Sequence, residues 1–390
     1  MQKLINRKYA EVVEMNRKVF PVTAILGPRQ CGKSTLVKML SRKIDSLVYL
    51  DLQNMEDVNK LSDTRLFFRN NEDSVICLDE IQQMPELFSD LRSIIDSNRQ
   101  KGRFIILGSA SPQLIQSSSE TLAGRIGFVE LTPFLVSELI VNDVKSYSMN
   151  EYVSRGGFPE SYLAENDEAS RLWRENFIRT YIERDLPQIG VQLPSLQIRR
   201  LLTMFSHLQG QLFNSNKLAA SMGVTHPTIR RYLDLFEQTF LVRSLEPYII
   251  NVKKRLIKSP KVYIRDSGLL HQLLQISDFN QLLGHPVFGS SWEGIVIENV
   301  IAEMPEWQPY FYRTATGDEI DLVMVKGDRK IAIECKASTA PQLTKGFWTV
   351  IDDIQPEHVW VVAPINDSYP IKENVTVCGL SQIVQEVKNI

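Results

Sequence analysis

The stretch "AILGPRQCGKSTLVKML", Ala24 to Leu40, constrains the fold of this chain more than any other. Gly27, Gly32, Lys33 and Ser34 satisfy G-x-x-x-x-G-K-[ST], between an apolar run that reads as a strand and an amphipathic run that reads as a helix. Such a loop needs a buried strand turning directly into a helix N-terminus. The segment Gly27, Pro28, Arg29, Gln30, Cys31, Gly32, Lys33, Ser34 and Thr35 would then wrap the phosphates of ATP with backbone N–H groups and the positive end of the helix. Lys33 would neutralise phosphate charge and Ser34 would ligate Mg²⁺.

The surrounding pattern agrees. From residue 22 to 150, short apolar runs ("VTAILG", "LVYLDL", "SVICLDE", "RFIILGS") alternate with helical periodicity, which predicts a parallel α/β sheet. "SVICLDE" ends in Asp79 and Glu80. Asp79 is placed to hold Mg²⁺ through water and Glu80 to polarise the attacking water, although two acids there could also cap the following helix. Arg125, between glycines in "LAGRIG", suits a finger that reaches a phosphate in its own subunit or a neighbour's, and Arg155 in "SRGGFPE" is a second candidate. Either could equally be a structural arginine.

At 390 residues the chain exceeds one ordinary core, so two or three domains are expected, with soft boundaries near 190 and 265. No apolar run approaches a membrane span, and "MQKLINRKYAEVVEMNRKVF" lacks the apolar core of a secretion signal. The four cysteines form no C-x-x-C pair, which argues against a zinc ribbon or disulfide framework and suits a cytoplasmic protein.

Charge is unevenly spread. Residues 197–265 hold 12 Lys/Arg and 3 Asp/Glu, a balance of +9, which leaves −11 for the rest of a chain of net charge −2. A basic middle points to an anionic partner, DNA first. Within it, "NSNKLAASMGVTHPTIRRYLDLF" reads as a helix-turn-helix: Leu218, Ala219 and Met222 face inward, Gly223 ends the first helix, and Ile229, Leu233 and Phe236 form the apolar side of the second. Arg230 and Arg231 fall on or near its exposed side, and an alternating stretch after it reads as a hairpin with Lys253, Lys254 and Arg255 near the tip. Phosphate contacts from these residues would be largely independent of sequence. The same module could instead contact protein.

Further on, "GDEIDLVMVKGDRKIAIECK" plants Asp321 and Glu334 inside apolar runs. Folded as a hairpin about Gly327 and Asp328, it pairs Lys326 with Arg329, Met324 with Ile331, and Asp321 with Glu334. The carboxylates would face each other with Cβ atoms about 5 Å apart, and Lys336 would share their face. Opposed like charges need an offset, and a divalent cation such as Mg²⁺ or Mn²⁺ is the obvious one. Charges on a solvated strand face are the plain alternative.

Together "GPRQCGKST", "YLDL", "LDEIQQMP", "GSAS", "LAGR", "RGGFPE", "FIRTYIERDL", "KVYIRDSGLL" and "GSSWEGIVIE" resemble a family of bacterial and archaeal AAA-type (AAA+) ATPases whose C-terminal domain, of unknown function, has a nuclease-like fold. The resemblance covers nearly the whole chain. It implies a P-loop NTPase parallel sheet with a helical lid over 1–190, a winged helix-turn-helix over 191–265 and a PD-(D/E)xK nuclease-like α/β domain over 266–390. It implies a γ-phosphate sensor at the end of "RFIILGSAS", Ser109 rather than Ser111, and a homo-oligomer formed through the ATPase domain. It implies that Asp321, Glu334 and Lys336 are a nuclease core joined by a helix glutamate, Glu293 or less readily Glu298. The proline of that motif is absent before Asp321, where Ile320 stands. Two functions are therefore open: an ATPase that binds DNA and cuts it, or a slow regulatory ATPase that holds DNA or a protein partner without cutting.

Overall fold

The computed structural model describes residues 4–109, 120–142, 147–189, 191, 193–249 and 257–390. They form two compact units, one of residues up to 134 with 238–240, the other of 135–237 with 241–390.

The first unit is built on five parallel strands: β1 (Val22–Gly27), β2 (Leu47–Asp51), β3 (Val75–Asp79), β4 (Phe104–Ser109) and β5 (Ile126–Glu130), in spatial order β2-β3-β4-β1-β5. Every residue of β1 is buried, which is why its sequence is a continuous apolar run rather than an alternation. Val22, Ala24, Ile76, Leu78, Phe104 and Ile106 meet Leu87, Leu91 and Ile95 of the helix Leu87–Ser97 in one core. The helix Lys33–Leu40 turns Leu36, Val37 and Leu40 inward. The parallel register sets Gly27 beside Ser109 and Asp79 beside Asp51, so the motif residues come out together at the C-terminal edge of the sheet. That edge is where open α/β sheets bind ligands.

The second unit begins at Leu135, short of the 1–190 span expected for the first domain. The helices from Val136–Val141 to Leu186–Gln188 belong to it because their polar anchors lie further along the chain: the Asp266 carboxylate accepts from the N–H of Gly157, and Asn299 Oδ1 accepts from the N–H of Val136. The helices Ser195–His207, Ser215–Met222 and His226–Gln238 follow, the last two joined by a tight turn at Gly223. Leu218, Ala219, Ile229, Leu233 and Phe236 are buried as the periodicity predicts.

A nine-stranded mixed sheet runs through this unit: β6 (Gln211–Leu212), β7 (Val242–Pro247), β8 (Lys261–Ile264), β9 (Gln308–Arg313), β10 (Glu319–Lys326), β11 (Arg329–Cys335), β12 (His358–Val362), β13 (Ser368–Lys372) and β14 (Val375–Cys378). Their order is β13-β14-β12-β11-β10-β9-β7-β8-β6. β10 and β11 form the expected hairpin, with Lys326 opposite Arg329, Met324 opposite Ile331 and Leu322 opposite Ile333. The paired ladder ends there, one step short of the Asp321–Glu334 pair the sequence register sets. The helix Phe288–Glu303 buries most of its residues in this unit, and the helix Lys345–Ile354 buries Phe347, Val350, Ile351 and Ile354.

Candidate functional sites

At the first site the loop from Gly27 to Gly32 is held from behind. Gly27 abuts Leu131, whose carbonyl oxygen would lie 2.2 Å from any Cβ added there. The buried Arg7 donates to the carbonyls of Cys31 (2.9 Å) and Thr132 (2.6 Å), and Gly32 adopts φ 101°, which favours glycine. Cys31 is fully buried with its thiol toward Leu131 O (3.5 Å), and burial raises its pKa. Lys33, also buried, donates from Nζ to the carbonyls of Gly27 (2.9 Å) and Pro28 (2.8 Å). Its charge is thus held at the loop itself.

Asp79 ends β3 opposite this loop. Its Oδ2 accepts from Ser34 Oγ at 2.8 Å and from the Tyr49 hydroxyl, and its Oδ1 accepts from the Glu80 N–H at 2.9 Å. Burial and the hydrogen bond to Asp79 both raise the Tyr49 pKa, so its proton stays on the phenol. Glu80 has φ 56°, uncommon for a residue with a side chain, and Gln82 donates to its carboxylate. Ser34 and Asp79 together present hard oxygen donors at hydrogen-bond separation, and such a donor set suits Mg²⁺.

The other residues expected at this site are placed as follows. Thr35 and Gln30 are exposed. Ser109 ends β4 beside Gly27, while its side chain and Ser111 lie outside the described residues. Arg125 is engaged by Asp96, with Nη2 at 2.6 Å, and donates to Ala123 O. Arg155 is buried in the second unit and bound to Asp167 (2.7 Å) and Ala164 O (3.1 Å), a structural arrangement. Arg7 and Tyr49 escaped the sequence reading. The tyrosine in "YLDL" leaves a faint trace, a polar hydroxyl two residues inside a strand that ends beside Asp79.

The second site lies between β8, β10, β11 and the helix Phe288–Glu303. It brings Glu293, Asp321, Glu334 and Lys336 together. The β9–β10 ladder slips between Ile320 and Val323, and such an irregularity re-aims side chains. Asp321 Oδ2 there accepts from the Cys335 N–H at 2.9 Å. Glu334 is buried, with Oε1 2.5 Å from Lys336 Nζ and Oε2 buried without a hydrogen-bond partner. Burial and the Asp321 charge raise the pKa of both Glu293 and Glu334.

A residue the sequence reading did not single out joins them. Lys261, first in β8 and 2% exposed, points its Nζ at Glu293 Oε1 (2.8 Å), Asp321 Oδ1 (3.5 Å) and Glu319. Burial lowers the Lys261 pKa, but the three carboxylates outweigh burial and raise it, so the ammonium is charged. Tyr263 donates to Glu293 Oε1 at 2.6 Å, and Arg313 takes Glu319 at 2.9 Å. Among the described residues no group of three or more His, Cys, Asp or Glu is arranged to hold a metal ion. These residues as placed do not fit a divalent cation, because an ammonium already stands among the ligands. Glu298, the alternative helix glutamate, is turned away to Arg243 and Arg265 (2.9 Å).

Arg230 and Arg231 are exposed on the helix His226–Gln238. Lys253, Lys254 and Arg255 lie outside the described residues.

A parallel five-stranded sheet, a glycine-rich phosphate loop after β1 and an acidic pair at the end of β3, with β4 between the two strands, define a P-loop ATPase of the AAA kind. Residues 19–140 match the AAA domain family, 146–280 a domain of unknown function (DUF8612) and 288–383 a domain of unknown function (DUF4143). The chain belongs to one family with an uncharacterized protein of Mycobacterium tuberculosis, 38% identical over 364 residues covering 93% of this chain and 81% of that protein. An uncharacterized protein of Haemophilus influenzae is 23% identical over 64% of this chain and 68% of its own length. Among solved structures, the Walker-type ATPase paby2304 of Pyrococcus abyssi is 17% identical over 70% of this chain and 96% of that one, with a TM-score of 0.48. AMPPCP-bound DnaA of Aquifex aeolicus is 13% identical over 60% of this chain and 90% of that one, with a TM-score of 0.31. Among the described residues no helix is long and apolar enough to cross a membrane.

Proposed function

We propose that this chain hydrolyses ATP with Mg²⁺ at the Gly27–Thr35 loop and uses the nucleotide cycle to control a grip on DNA through Arg230, Arg231 and the Lys253–Arg255 segment. The observation that carries the ATP-site reading is Ser34 joined to Asp79 at 2.8 Å beside the buried Lys33. ATP phosphates would draw Lys33 Nζ off the carbonyls of Gly27 and Pro28, exchanging two neutral acceptors for charged ones. Mg²⁺ would be held by Ser34 and, through water, by Asp79, where it neutralises phosphate charge. Glu80, one residue beyond Asp79, orients the attacking water. Arg125 or a neighbouring copy's arginine completes the site in an oligomer. Lys33→Ala removes ATP turnover measured as phosphate release in Mg²⁺; turnover retained at the parent rate sinks the assignment.

The helix order Ser195–His207, Ser215–Met222, His226–Gln238 and the antiparallel pair β7–β8 support a winged helix-turn-helix reading of the basic segment. For the C-terminal carboxylates, the second reading is favoured: a nuclease-like domain that docks a partner without cutting. Lys261 at 2.8 Å from Glu293 is the observation that favours it. The assay that separates the two readings is cleavage of single-stranded, duplex and branched DNA in Mg²⁺ and in Mn²⁺, with and without ATP. Cutting that is lost in the Glu334→Ala, Lys336→Ala double variant restores the nuclease.

A further inference from the structure

We infer that Lys261 is a resident cation standing in the place of a divalent metal, so that the Glu293–Asp321–Glu334 site excludes metal while β8 is seated. This rests on reading the β10–β11 hairpin as a nuclease-like carboxylate site.

Sequence logic asks for a cation here, because Asp321 and Glu334 oppose each other on adjacent strands. The structure supplies two from the chain itself, Lys336 at Glu334 and Lys261 at Glu293 and Asp321. An ammonium has three N–H donors and no acceptor, and Lys261 Nζ faces three carboxylates: Glu293 (2.8 Å), Asp321 (3.5 Å) and Glu319. Its stem is fixed. Lys261 pairs with Leu245 of β7 on one side and Leu212 of β6 on the other, and its Nζ lies 5.6 Å from the centre of the Phe311 ring. One oxygen of each ligand carboxylate is also taken, while Glu334 Oε2 stays buried without a partner. Glu293 Oε1 receives both Lys261 and Tyr263, Asp321 Oδ2 receives the Cys335 N–H, and Glu334 Oε1 receives Lys336. A Mg²⁺-sized ion bonded to Glu293 Oε1 and Asp321 Oδ1 would need them at about 2.0–2.1 Å, and both oxygens already face the Lys261 nitrogen. Two cations cannot share that space. Removing either side of such a buried pair leaves the other uncompensated, so the lysine holds its place strongly.

Lys261 is not part of the hairpin that carries Asp321 and Glu334. It comes from β8, 60 residues earlier in the chain than Asp321. A strand within the basic segment therefore supplies the cation of the carboxylate site.

The test is Mn²⁺ titration read by electron paramagnetic resonance on the full chain carrying Asp79→Asn, which removes the ATP-site ligand. The expected result is no saturable Mn²⁺ binding. Adding Lys261→Met should create a saturable site, with Mn²⁺ bound at least about tenfold more tightly than before, and Glu334→Gln should abolish it again. Lys261→Gln serves where Lys261→Met does not fold, judged by a cooperative unfolding transition. Saturable binding in the Asp79→Asn chain that Glu334→Gln removes overturns the inference, as does a folded Lys261 variant that gains no site. The cleavage assay run alongside separates the two ideas. Metal binding without cutting removes the inference and leaves the docking reading, whereas cutting lost in the Glu334→Ala, Lys336→Ala variant removes both.

Discussion

Asp79 accepts three hydrogen bonds, from Ser34, Tyr49 and the Glu80 backbone, and each fixes a different part of the ATP site. The Glu80 contact turns the backbone at the next residue into the left-handed region, φ 56°, where a side chain costs about 1 kcal/mol or more. That geometry at the edge of the phosphate loop is the reason to test Glu80 as the base of the proposed hydrolysis. Glu80→Gln keeps the shape and removes the base. It should lower kcat by about 10²- to 10⁴-fold while ATP still binds. Equilibrium binding of a fluorescent ATP analogue beside steady-state turnover checks this, and equal losses in both would move Glu80 out of the catalytic role. Tyr49→Phe removes one donor from Asp79 together with the hydroxyl's contact with Ser34. The Mg²⁺ concentration for half-maximal turnover should rise by about ten- to a hundredfold, the worth of one hydrogen bond to a charged group, with kcat at saturating Mg²⁺ kept. An unchanged Mg²⁺ titration would show that Tyr49 does not act through Asp79.

At the scale of elements, legibility follows how local the physics is. The phosphate loop is contiguous, so its spacing, its strand and its helix can all be read from the residues themselves. The β10–β11 register could be derived because a two-residue turn and a period of two leave one solution, and Leu322 opposite Ile333 follows it. Arg7 and Lys261 could not be read that way. Arg7 reaches Thr132 across 125 positions, and Lys261 reaches Asp321 across 60. The only trace of Lys261 is a charged residue opening the apolar run "KVYI". His271 is a further case, buried in the helix Ser267–Leu273 with Nε2 accepting from Ser291 Oγ at 2.8 Å and Nδ1–H facing Ser154 O. Burial lowers its pKa to about 3 from the ordinary 6.5. Between those values the unfolded chain binds a proton that the folded chain refuses, so stability falls as pH drops from about 6.5 toward 3, by up to about 1.4 kcal/mol per pH unit. His271→Gln removes that linkage. Its urea midpoint should change less steeply with pH than the parent's over that window, and parallel slopes would show that His271 titrates normally.

At the scale of the whole chain, the AAA core was readable, while the edge of the first unit was not. Sequence alternation runs smoothly from the strands into the helices after Leu135, and nothing local shows that Gly157 and Val136 are anchored by Asp266 and Asn299. Charge distribution, by contrast, survives any fold. The +9 balance of residues 197–265 persists with Arg230 and Arg231 exposed on the helix His226–Gln238. A DNA grip of that kind releases counterions, so log K for duplex DNA should fall linearly with log salt, with a slope near −0.9 for each phosphate engaged. Replacing Arg230 and Arg231 together by Ala should weaken binding alike for unrelated sequences and reduce the slope by roughly 1 for each arginine that touches a phosphate. Fluorescence anisotropy between low and high salt measures both quantities on one labelled duplex. A double variant with the parent's slope would mean that these arginines face something other than a phosphate backbone. The exposed helix would then be a protein-docking face, and the ATPase cycle would control a protein complex rather than a nucleic acid.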